Sequence, residues 1–487
     1  MVLAHFFKME NGFFVYDTNT NEILELDEVS WNIMRDILVN NLSLEQLNSR
    51  YPTNDVSSVL ENIEELKKEG FFVNELDIPD FLPLSKKDIK RLLSARLSTM
   101  LLEVTQQCNF RCKYCSFSGK YMSHRVHSNS MMSWKTAKKA LILLHKHSSD
   151  VTDIHIGFYG GEPLLNFNFI KKTVEFSRNL FSGKYLHFSI TTNGSLLSSR
   201  AILKFLVDNN FILHISFDGP QYIHDKWRVN KAGNGTYDLI IKNLKKLKDI
   251  SKDYFRNNIA LQAVITPPYD YKAVIEFFST NPVVKEVSRI YLIPVEIEDL
   301  KVDPKSLFPE IEDKDAIRKN QKWLIDSLLK CVVNQDHSKQ CEIIKSVFRR
   351  GLSKIHNRLI GPNAPVWFNG VCIPGFSRFF VSADGKIYVC EKVGQSFPIG
   401  DVNNGIDSDR VIKLISEYIR NSRDQCKTCW AFKLCELCYA NYLIDDKFSE
   451  DKKRKYCNKM KKQIANNLKI YTMISKLDSD YLEELEE

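Results

Sequence analysis

Strand-like and helix-like segments alternate through the middle of the chain, which predicts an α/β fold built on a parallel sheet. Three observations carry this. Between about 99 and 295, six apolar runs of strand length alternate with amphipathic stretches, the pattern of a parallel sheet with helices outside it. Cys108, Cys112 and Cys115 crowd together just after the first of these runs. A second cysteine field opens at Cys372 and closes at Cys457.

The 487 residues exceed one ordinary domain and suggest about two to four. A hydrophobic content of 44% and an aromatic content of 11% supply a sizeable core. No apolar run is long enough to span a bilayer, and the first eight residues are too short and wrongly flanked for a signal peptide. No membrane partner and a cytoplasmic location are therefore expected. Twelve cysteines in such a chain point to metal or redox work rather than disulfides. The net charge of +8 is mild and demands no nucleic acid. The basic run Lys452, Lys453, Arg454 and Lys455, continuing to Lys461 and Lys462, reads as a solvated helix face.

Residues 6–26 alternate and turn twice, near Asn11-Gly12 and over 18–21, which reads as a small β-meander or hairpin. Asp27 caps a helix whose apolar face is Val29, Ile33, Met34 and Leu38. Ser43 caps a second helix, with Gln46 three residues on. A third spans 55–69, with Val59, Leu60, Ile63 and Leu66 on one side and Gly70 at the C′ position. Residues 71–73 return as a strand. Over 1–85 this resembles a winged helix-turn-helix. DNA binding is the plain reading of such a unit, but the second helix has little basic charge (Glu45, Arg50) and so no phosphate footprint. Residues 76–98, rich in Asp, Pro, Lys and Ser, read as linker, with 86–98 separating the first two domains.

The candidate strands of the sheet are 100–106, 153–158, 186–192, 212–217, 259–265 and 288–293, with helices between them, for example 134–147 and 202–209. His155, His187 and His214 lie on these strands and read as core residues. Functional groups in such barrels gather at strand C-terminal ends. Three thiolates on the tight loop after the first strand can hold three irons of a [4Fe–4S] cube, leaving the fourth iron open. Zinc is the alternative, but it usually takes a fourth ligand from a second Cys/His pair close by, and none follows.

Cys108-x3-Cys112-x-Tyr114-Cys115 after a first strand resembles the signature of the radical SAM superfamily. Tyr159-Gly160-Gly161-Glu162-Pro163 resembles its GGEP motif. Thr191-Thr192-Asn193-Gly194-Ser195 resembles its TNG stretch. Ser216-Phe217-Asp218-Gly219-Pro220, with Arg228 downstream, resembles the (S/D)xDGP motif of the SPASM branch. The resemblance implies a partial (β/α)6 TIM barrel over 99–310, S-adenosyl-L-methionine on the open iron, and a 5′-deoxyadenosyl radical that takes hydrogen from a substrate. By the same resemblance Gly160, Gly161 and Glu162 hold the methionyl amino group. Ser216 and Arg228 hold its carboxylate, for which arginine has the bidentate geometry. Asn193 lies near the cofactor, and Tyr114 and residues 293–295 pack near the adenine.

The later field runs Cys372-x12-Gly385-x4-Cys390, then Cys426-x2-Cys429-x5-Cys435-x2-Cys438, then Cys457. It resembles a SPASM domain, here 366–460, which carries two auxiliary clusters and so brings the total to three [4Fe–4S] clusters. Many relatives have x3 before the fourth clustered cysteine. Cys-x2-Cys pairs also build zinc ribbons, and the upstream motifs favour iron–sulfur. The resemblance assigns Cys426, Cys429, Cys435 and Cys457 to a distal cluster. Cys372, Cys390 and Cys438 are left for a proximal cluster one ligand short. Cys331 or Cys341, in a helical bridge over 311–365, could complete it, but both read as buried free thiols. Residues 461–487 read as a C-terminal helix. Glu391 stands where sulfatase maturases carry a catalytic Asp.

The N-terminal unit is similar to a RiPP recognition element, which binds the leader of a ribosomal precursor peptide as an added strand. The whole resembles a radical SAM/SPASM peptide maturase that installs a cross-link. Likeness of the first 85 residues to the thioether-forming, ranthipeptide-like branch favours a Cys thioether. An external one-electron donor such as flavodoxin or ferredoxin is implied. The alternatives are a carbon–carbon cross-linking cyclase and formylglycine formation of the anaerobic sulfatase-maturase kind. A zinc-containing peptide- or DNA-binding protein is the rival from another class.

Overall fold

The computed structural model describes residues 2–10, 12–79, 84–122, 124–368, 372–373, 378–393, 395–478 and 480–485. At the N-terminus, β1 (Ala4–Met9), β2 (Gly12–Asp17) and β3 (Ile23–Leu26) form an antiparallel meander. It is followed by α1 (Glu28–Leu38), α2 (Leu44–Asn48) and α3 (Thr53–Lys68). The caps fall where local chemistry put them. Asp27 accepts from the Ser30 N–H, and Ser43 with Gln46 forms the reciprocal capping box. Gly70, at φ +94°, follows the end of α3.

Two expectations fail here. Residues 71–73 form no strand: Phe72 sits at φ +58° with its N–H on Asp17 Oδ2 at 2.9 Å, which breaks the extended run. Val29 is 46% exposed, and the buried Trp31 takes the core position, its indole N–H donating to the Phe14 carbonyl. The other face of the meander, with Phe7, Phe14 and Tyr16, packs on Ile355, Leu434, Ile464 and Leu468 from the C-terminal half.

The expected linker 86–98 contains a helix, α4 (Lys86–Ala95), capped by Ser85 and Asp88 and burying Ile89 and Leu93. The α/β unit then runs β4 (Thr99–Thr105), α5 (Trp134–Lys146), β5 (Asp153–Gly160), α6 (Phe167–Leu180), β6 (Tyr185–Thr192), α7 (Arg200–Asp208) and β7 (Ile212–Ser216). It continues through α8 (Gln221–Trp227), α9 (Tyr237–Ile250), α10 (Lys252–Asn258), β8 (Ile259–Ile265), α11 (Tyr271–Thr280) and β9 (Arg289–Pro294). Strands β4 to β9 pair in sequence order and in parallel, so the fold class predicted from the alternation is correct. Of the strand histidines, His187 is a surface group, its Nε2 3.0 Å from Asp153 Oδ1, rather than a core residue. His155 is half-buried against Ser189 Oγ at 2.8 Å.

Helices α12 (Pro304–Leu307), α13 (Lys314–Val333) and α14 (Lys339–His356) form the bridge. Cys331 and Cys341 are not free thiols: they pair as a disulfide across the turn between α13 and α14, with Cα atoms 5.6 Å apart. The C-terminal part holds β10 (Arg378–Val381), β11 (Lys386–Tyr388), β12 (Gly400–Asp401), β13 (Gly405–Ile406), α15 (Ser408–Cys426), β14 (Leu443–Ile444), β15 (Lys447–Phe448), α16 (Glu450–Leu477) and α17 (Asp480–Glu483).

The domain boundaries read from sequence conceal two connections. Strand β10 pairs in parallel with β4, Arg378 opposite Thr99 through Val381 opposite Leu102, so one ten-stranded sheet runs β13-β12-β11-β10-β4 and on to β9. Helix α16 crosses the expected 460/461 boundary and carries Cys457 within its 28 residues. Its basic run is solvated only in part: Arg454, Lys455 and Lys462 are exposed, as expected of a helix face, but the first two lysines are not. Lys452 and Lys453 are 4% and 5% exposed; Lys452 Nζ lies 2.7 Å from Asp299 Oδ1, and Lys453 donates to the Asn421 carbonyl. No helix among the described residues is long and apolar enough to cross a membrane.

Candidate active site

The cysteine loop after β4 is held on both sides. Arg111 and Lys113 donate backbone N–H groups to the carbonyls of Val229 and Trp227, at 2.7 and 2.9 Å. On the other side stand Gly160 and Gly161. A Cβ on Gly160 would lie 2.2 Å from the Thr105 carbonyl oxygen, and one on Gly161 2.0 Å from that of Gln107. The glycines thus let the end of β5 press against the cysteine loop itself. The N–H groups of Gly161 and Glu162 bond Thr105 and Gln107, both at 2.8 Å.

Glu162 is held by its own neighbours. Its carboxylate is fully buried and accepts from the Leu164 N–H, Thr192 Oγ1 and the Asn193 N–H, the last at 2.7 Å. Burial raises its pKa to about 7. It braces β5 to the end of β6. Through that brace it sets Asn193, whose Nδ2 lies 3.9 Å from Cys108 Sγ and 2.9 Å from Asn109 Oδ1.

Beside Cys112 sits a buried polar triad. Asp218 Oδ2 accepts from the Tyr114 hydroxyl and lies 3.0 Å from Arg228 Nε; Oδ1 accepts from the Val264 N–H at 3.0 Å. The Arg228 guanidinium lies 5.4 Å from the Tyr114 ring centroid. Arg228, expected at a cofactor carboxylate, is thus ion-paired to Asp218, a motif residue to which no role had been given. Ser216 is half-buried at the end of β7. Of residues 293–295, Val295 packs in one cluster with Tyr114, Trp227 and Phe308, whereas Ile293 is 46% exposed.

The three loop thiols fit a cluster by their chemistry. Burial pushes Cys108 up to about 11 and Cys112 up to about 12, and raises Cys115 too. Thiols so placed become thiolates only against a strong local positive charge such as a metal centre. The later cysteines divide into two sets. Cys426, Cys429, Cys435 and Cys457 line one cavity among Phe368, Tyr418 and Tyr442. Cys372, Cys390 and Cys438 line a separate cleft of ≈ 650 Å³ with Arg350, Lys354, Arg378 and Lys392. Burial raises Cys390, Cys426 and Cys435 to about 12. Among the described residues no three His, Cys, Asp or Glu side chains group as the ligands of one ion would; a [4Fe–4S] cube takes each thiolate at a different iron. The segments flanking Cys372 on both sides, 369–371 and 374–377, lie outside the described residues. Glu391 has Oε1 3.7 Å from Arg378 Nη1, while its Oε2 is buried without a hydrogen-bond partner.

Residues 102–278, which hold the thiol triad and the glycine brace at the C-terminal end of the parallel sheet, match the family model described as the radical SAM superfamily. That match supports S-adenosyl-L-methionine and a [4Fe–4S] cluster as cofactors, with the free thiols Cys108, Cys112 and Cys115 as the candidate ligands. More particularly, the chain is related to peptide-modifying radical SAM enzymes and anaerobic sulfatase maturases. It is 25% identical over 278 residues to the radical SAM cyclopropyl synthase TigE of Paramaledivibacter caminithermalis, covering 54% of this chain and 56% of that one. It is 26% identical over 355 residues to a cysteine-type anaerobic sulfatase-maturating enzyme of Clostridium novyi, covering 70% of this chain and 86% of that one. The solved structure titled native anSMEcpe with bound AdoMet and Kp18Cys peptide shares the fold: its TM-score is 0.57 at 19% identity, over 79% of this chain and 99% of that chain.

Proposed function

We propose that this chain is a maturase that cross-links a ribosomally made precursor peptide, forming a thioether from a peptide cysteine, with two auxiliary [4Fe–4S] clusters beside the SAM-binding one. The observation that carries the reading is the division of the later cysteines into a set of four and a set of three. Four thiols suffice for a closed cluster; three leave a position for a thiolate from the substrate. The set of three lines the larger cleft, which supports entry of a peptide cysteine there. The pairing of Cys331 with Cys341 removes both from the pool of possible eighth ligands.

When bound, the cofactors would supply the radical chemistry that removes a hydrogen atom from the substrate. The chain's own part is positional. Asn193 sets an amide beside Cys108, and Asp218 fixes Tyr114 and Arg228 against Cys112. Tyr114, Trp227, Val295, Leu300 and Phe308 form an apolar wall that keeps water from a reactive radical. In the N-terminal unit β3 pairs, among the described residues, with β2 alone, so its outer edge can take a leader peptide as an added strand. An external one-electron donor of the flavodoxin or ferredoxin kind completes the system.

The test is co-expression with a small cysteine-rich open reading frame found beside the gene. A thioether removes two hydrogens from the peptide and blocks one cysteine from alkylation by iodoacetamide. Carbon–carbon linkage removes the same mass but leaves every cysteine alkylable. A formylglycine product instead converts the cysteine itself to an aldehyde. Either of the last two outcomes replaces the thioether reading.

A further inference from the structure

A buried polar pocket lies between the cysteine loop and Glu391, and none of the roles described so far uses it. It is lined by Glu103 on β4, Tyr159 on β5, Phe380 on β10, Phe117 and Arg125 from the segment after Cys115, and Glu391 next to Cys390. Glu103 and Arg125 are 0% and 7% exposed and form an ion pair through Arg125 Nε. Glu103 Oε2 also accepts from the Gln106 side chain and the Ala383 N–H, each at 3.0 Å. The Arg125 guanidinium lies over Phe117, its Cζ 3.8 Å from the ring centroid.

This arrangement fixes the Arg125 fork yet leaves it unused. Among the described residues Arg125 Nη1 and Nη2 have no hydrogen-bond partner, and neither does Glu391 Oε2. Buried polar groups in folded proteins are almost always bonded, so each orphan asks for an occupant. The orphans comprise two donor nitrogens on Arg125 and one acceptor on Glu391, beside Glu103 Oε1, which meets only Arg125 Nε as an ion pair. The net charge decides what kind of occupant fits. Arg125 faces Glu103, and Glu391 faces Arg378 at 3.7 Å, so the pocket is balanced. A carboxylate ligand would satisfy Arg125 but stand against Glu391, and an ammonium would do the reverse. A neutral group carrying both an acceptor and a donor suits both.

We infer that Arg125 and Glu391 form a subsite for an amide group of the substrate, Arg125 donating to its carbonyl oxygen and Glu391 Oε2 accepting from its N–H. This rests on the peptide reading and deepens it. The pocket as it stands has room for about one water-sized group, the size of a carbonyl oxygen. A water molecule is the competing occupant. The place suits the chemistry: the pocket lies between Cys115 and Cys390, where a peptide unit must be held still while a neighbouring carbon reacts. The amide can come from the substrate's backbone or from an Asn or Gln side chain. Arg125 and Glu391 are positioning residues, since the fork and the acceptor orient the peptide without exchanging atoms with it.

The test uses the reconstituted full chain and two probes of equal size, acetamide and acetate. Crystals soaked in acetamide are expected to show its oxygen on the Arg125 fork and its nitrogen on Glu391 Oε2, with no acetate at the same concentration. In solution acetamide should compete with precursor processing where acetate does not. Arg125→Lys, which keeps the charge and loses the fork, should raise the KM for the precursor about tenfold to a hundredfold, with a smaller change in kcat. Glu391→Gln, iron content intact, should do the same and guards against a folding defect in the first variant. A water in every soak, preference for acetate, or acetamide bound at crystal concentration only, without competition, overturns the subsite. If both variants keep the wild-type KM, the subsite is also wrong. Precursors with an ester at the cross-linked residue, or with Asn and Gln replaced by Ala, then assign the amide to backbone or side chain. Should no peptide be processed at all, the maturase reading fails, and the acetamide soak still decides the subsite.

Discussion

Asp218→Asn is the sharpest perturbation of the site. Asp218 is fully buried and holds three partners at once: Arg228 Nε at 3.0 Å, the Tyr114 hydroxyl, and the Val264 N–H at 3.0 Å. Asparagine keeps the shape and removes the charge. Arg228, 6% exposed, is then a buried cation without its counter-charge. Breaking one side of a buried pair costs about 3–5 kcal/mol. The new NH2 must also face either Arg228 or the Val264 N–H, both of which are donors. For a cooperative unit of 150–250 residues that loss lowers the thermal midpoint by about 6–20 °C. Tyr114→Phe removes one hydrogen bond to a charged acceptor and costs less, about 1.5–3 kcal/mol. Arg228→Met combined with Asp218→Leu should cost less than the sum of the two single changes, because no lone charge remains.

Scanning calorimetry of the reconstituted protein measures the midpoint, and 5′-deoxyadenosine release without peptide reports on the cofactor site. Tyr114 lies between Cys112 and Cys115 in the chain, so loosening it should depress SAM cleavage in proportion to the loss of stability. If Asp218→Asn leaves the midpoint within about 2 °C and cleavage at the wild-type rate, the triad is not what holds this loop.

Four further outcomes are expected. Replacing Cys108, Cys112 and Cys115 together by Ala should remove about four of about twelve irons and end SAM cleavage, with the remaining iron retained; cleavage surviving in the triple variant would refute the assignment. Lys452→Met leaves Asp299 buried without its counter-charge, a loss of about 3–5 kcal/mol that should free α16 and, on the proposed two-auxiliary-cluster reading, make the iron held with Cys457 easier to chelate. Glu162, raised to about 7 against an ordinary value of 4.5, disfavours its ionised form when folded; stability should fall by roughly 3 kcal/mol as pH rises from about 4.5 to about 7, a slope absent in Glu162→Gln. Cys331→Ala and Cys341→Ala should each leave the iron content and peptide cross-linking intact, whereas loss of a cluster in either would return that thiol to the ligand set.

The legible parts of the fold were those written in short stretches of chain. The six strands β4 to β9 are apolar runs because a parallel sheet packed against its crossover helices is buried, and the Ser43 and Asp27 caps rest on side chains three residues from their donors. The cysteine sets were legible because thiols at such spacings have few other uses. What stayed hidden depends on partners far away. The solvated reading of Lys452 was reasonable for a basic run on a helix, and its counter-charge, Asp299, lies on a loop that no periodicity links to it. Phe72 turns into the left-handed region because Asp17, buried in the meander, draws its N–H. Glu162 sits in the expected motif, yet the occupation of both its oxygens depends on Thr192 and Asn193 folding back over it. Arg125 belongs to no motif at all; only burial and an unused fork mark it.

The pairing of β10 with β4 has the largest consequence of these hidden contacts. It joins two four-residue segments, tied again where the Ala383 N–H meets Glu103, 280 residues apart in sequence. Strands β4, β10 and β11 are consecutive neighbours, so at about 4.8 Å per step the axes of β4 and β11 stand roughly 10 Å apart. The loop of Cys108, Cys112 and Cys115 leaves the C-terminal end of β4, whereas β11 runs antiparallel to β4 and Cys390 with Glu391 leaves it in the opposite direction, so the sheet also fixes a displacement along the strands. One continuous sheet, rather than a linker, therefore sets the separation between the first thiol set and the cleft of three. A substrate held between them meets a fixed span. A flexible joint would have to be closed for every turnover at an entropic cost; the sheet has already met that cost during folding.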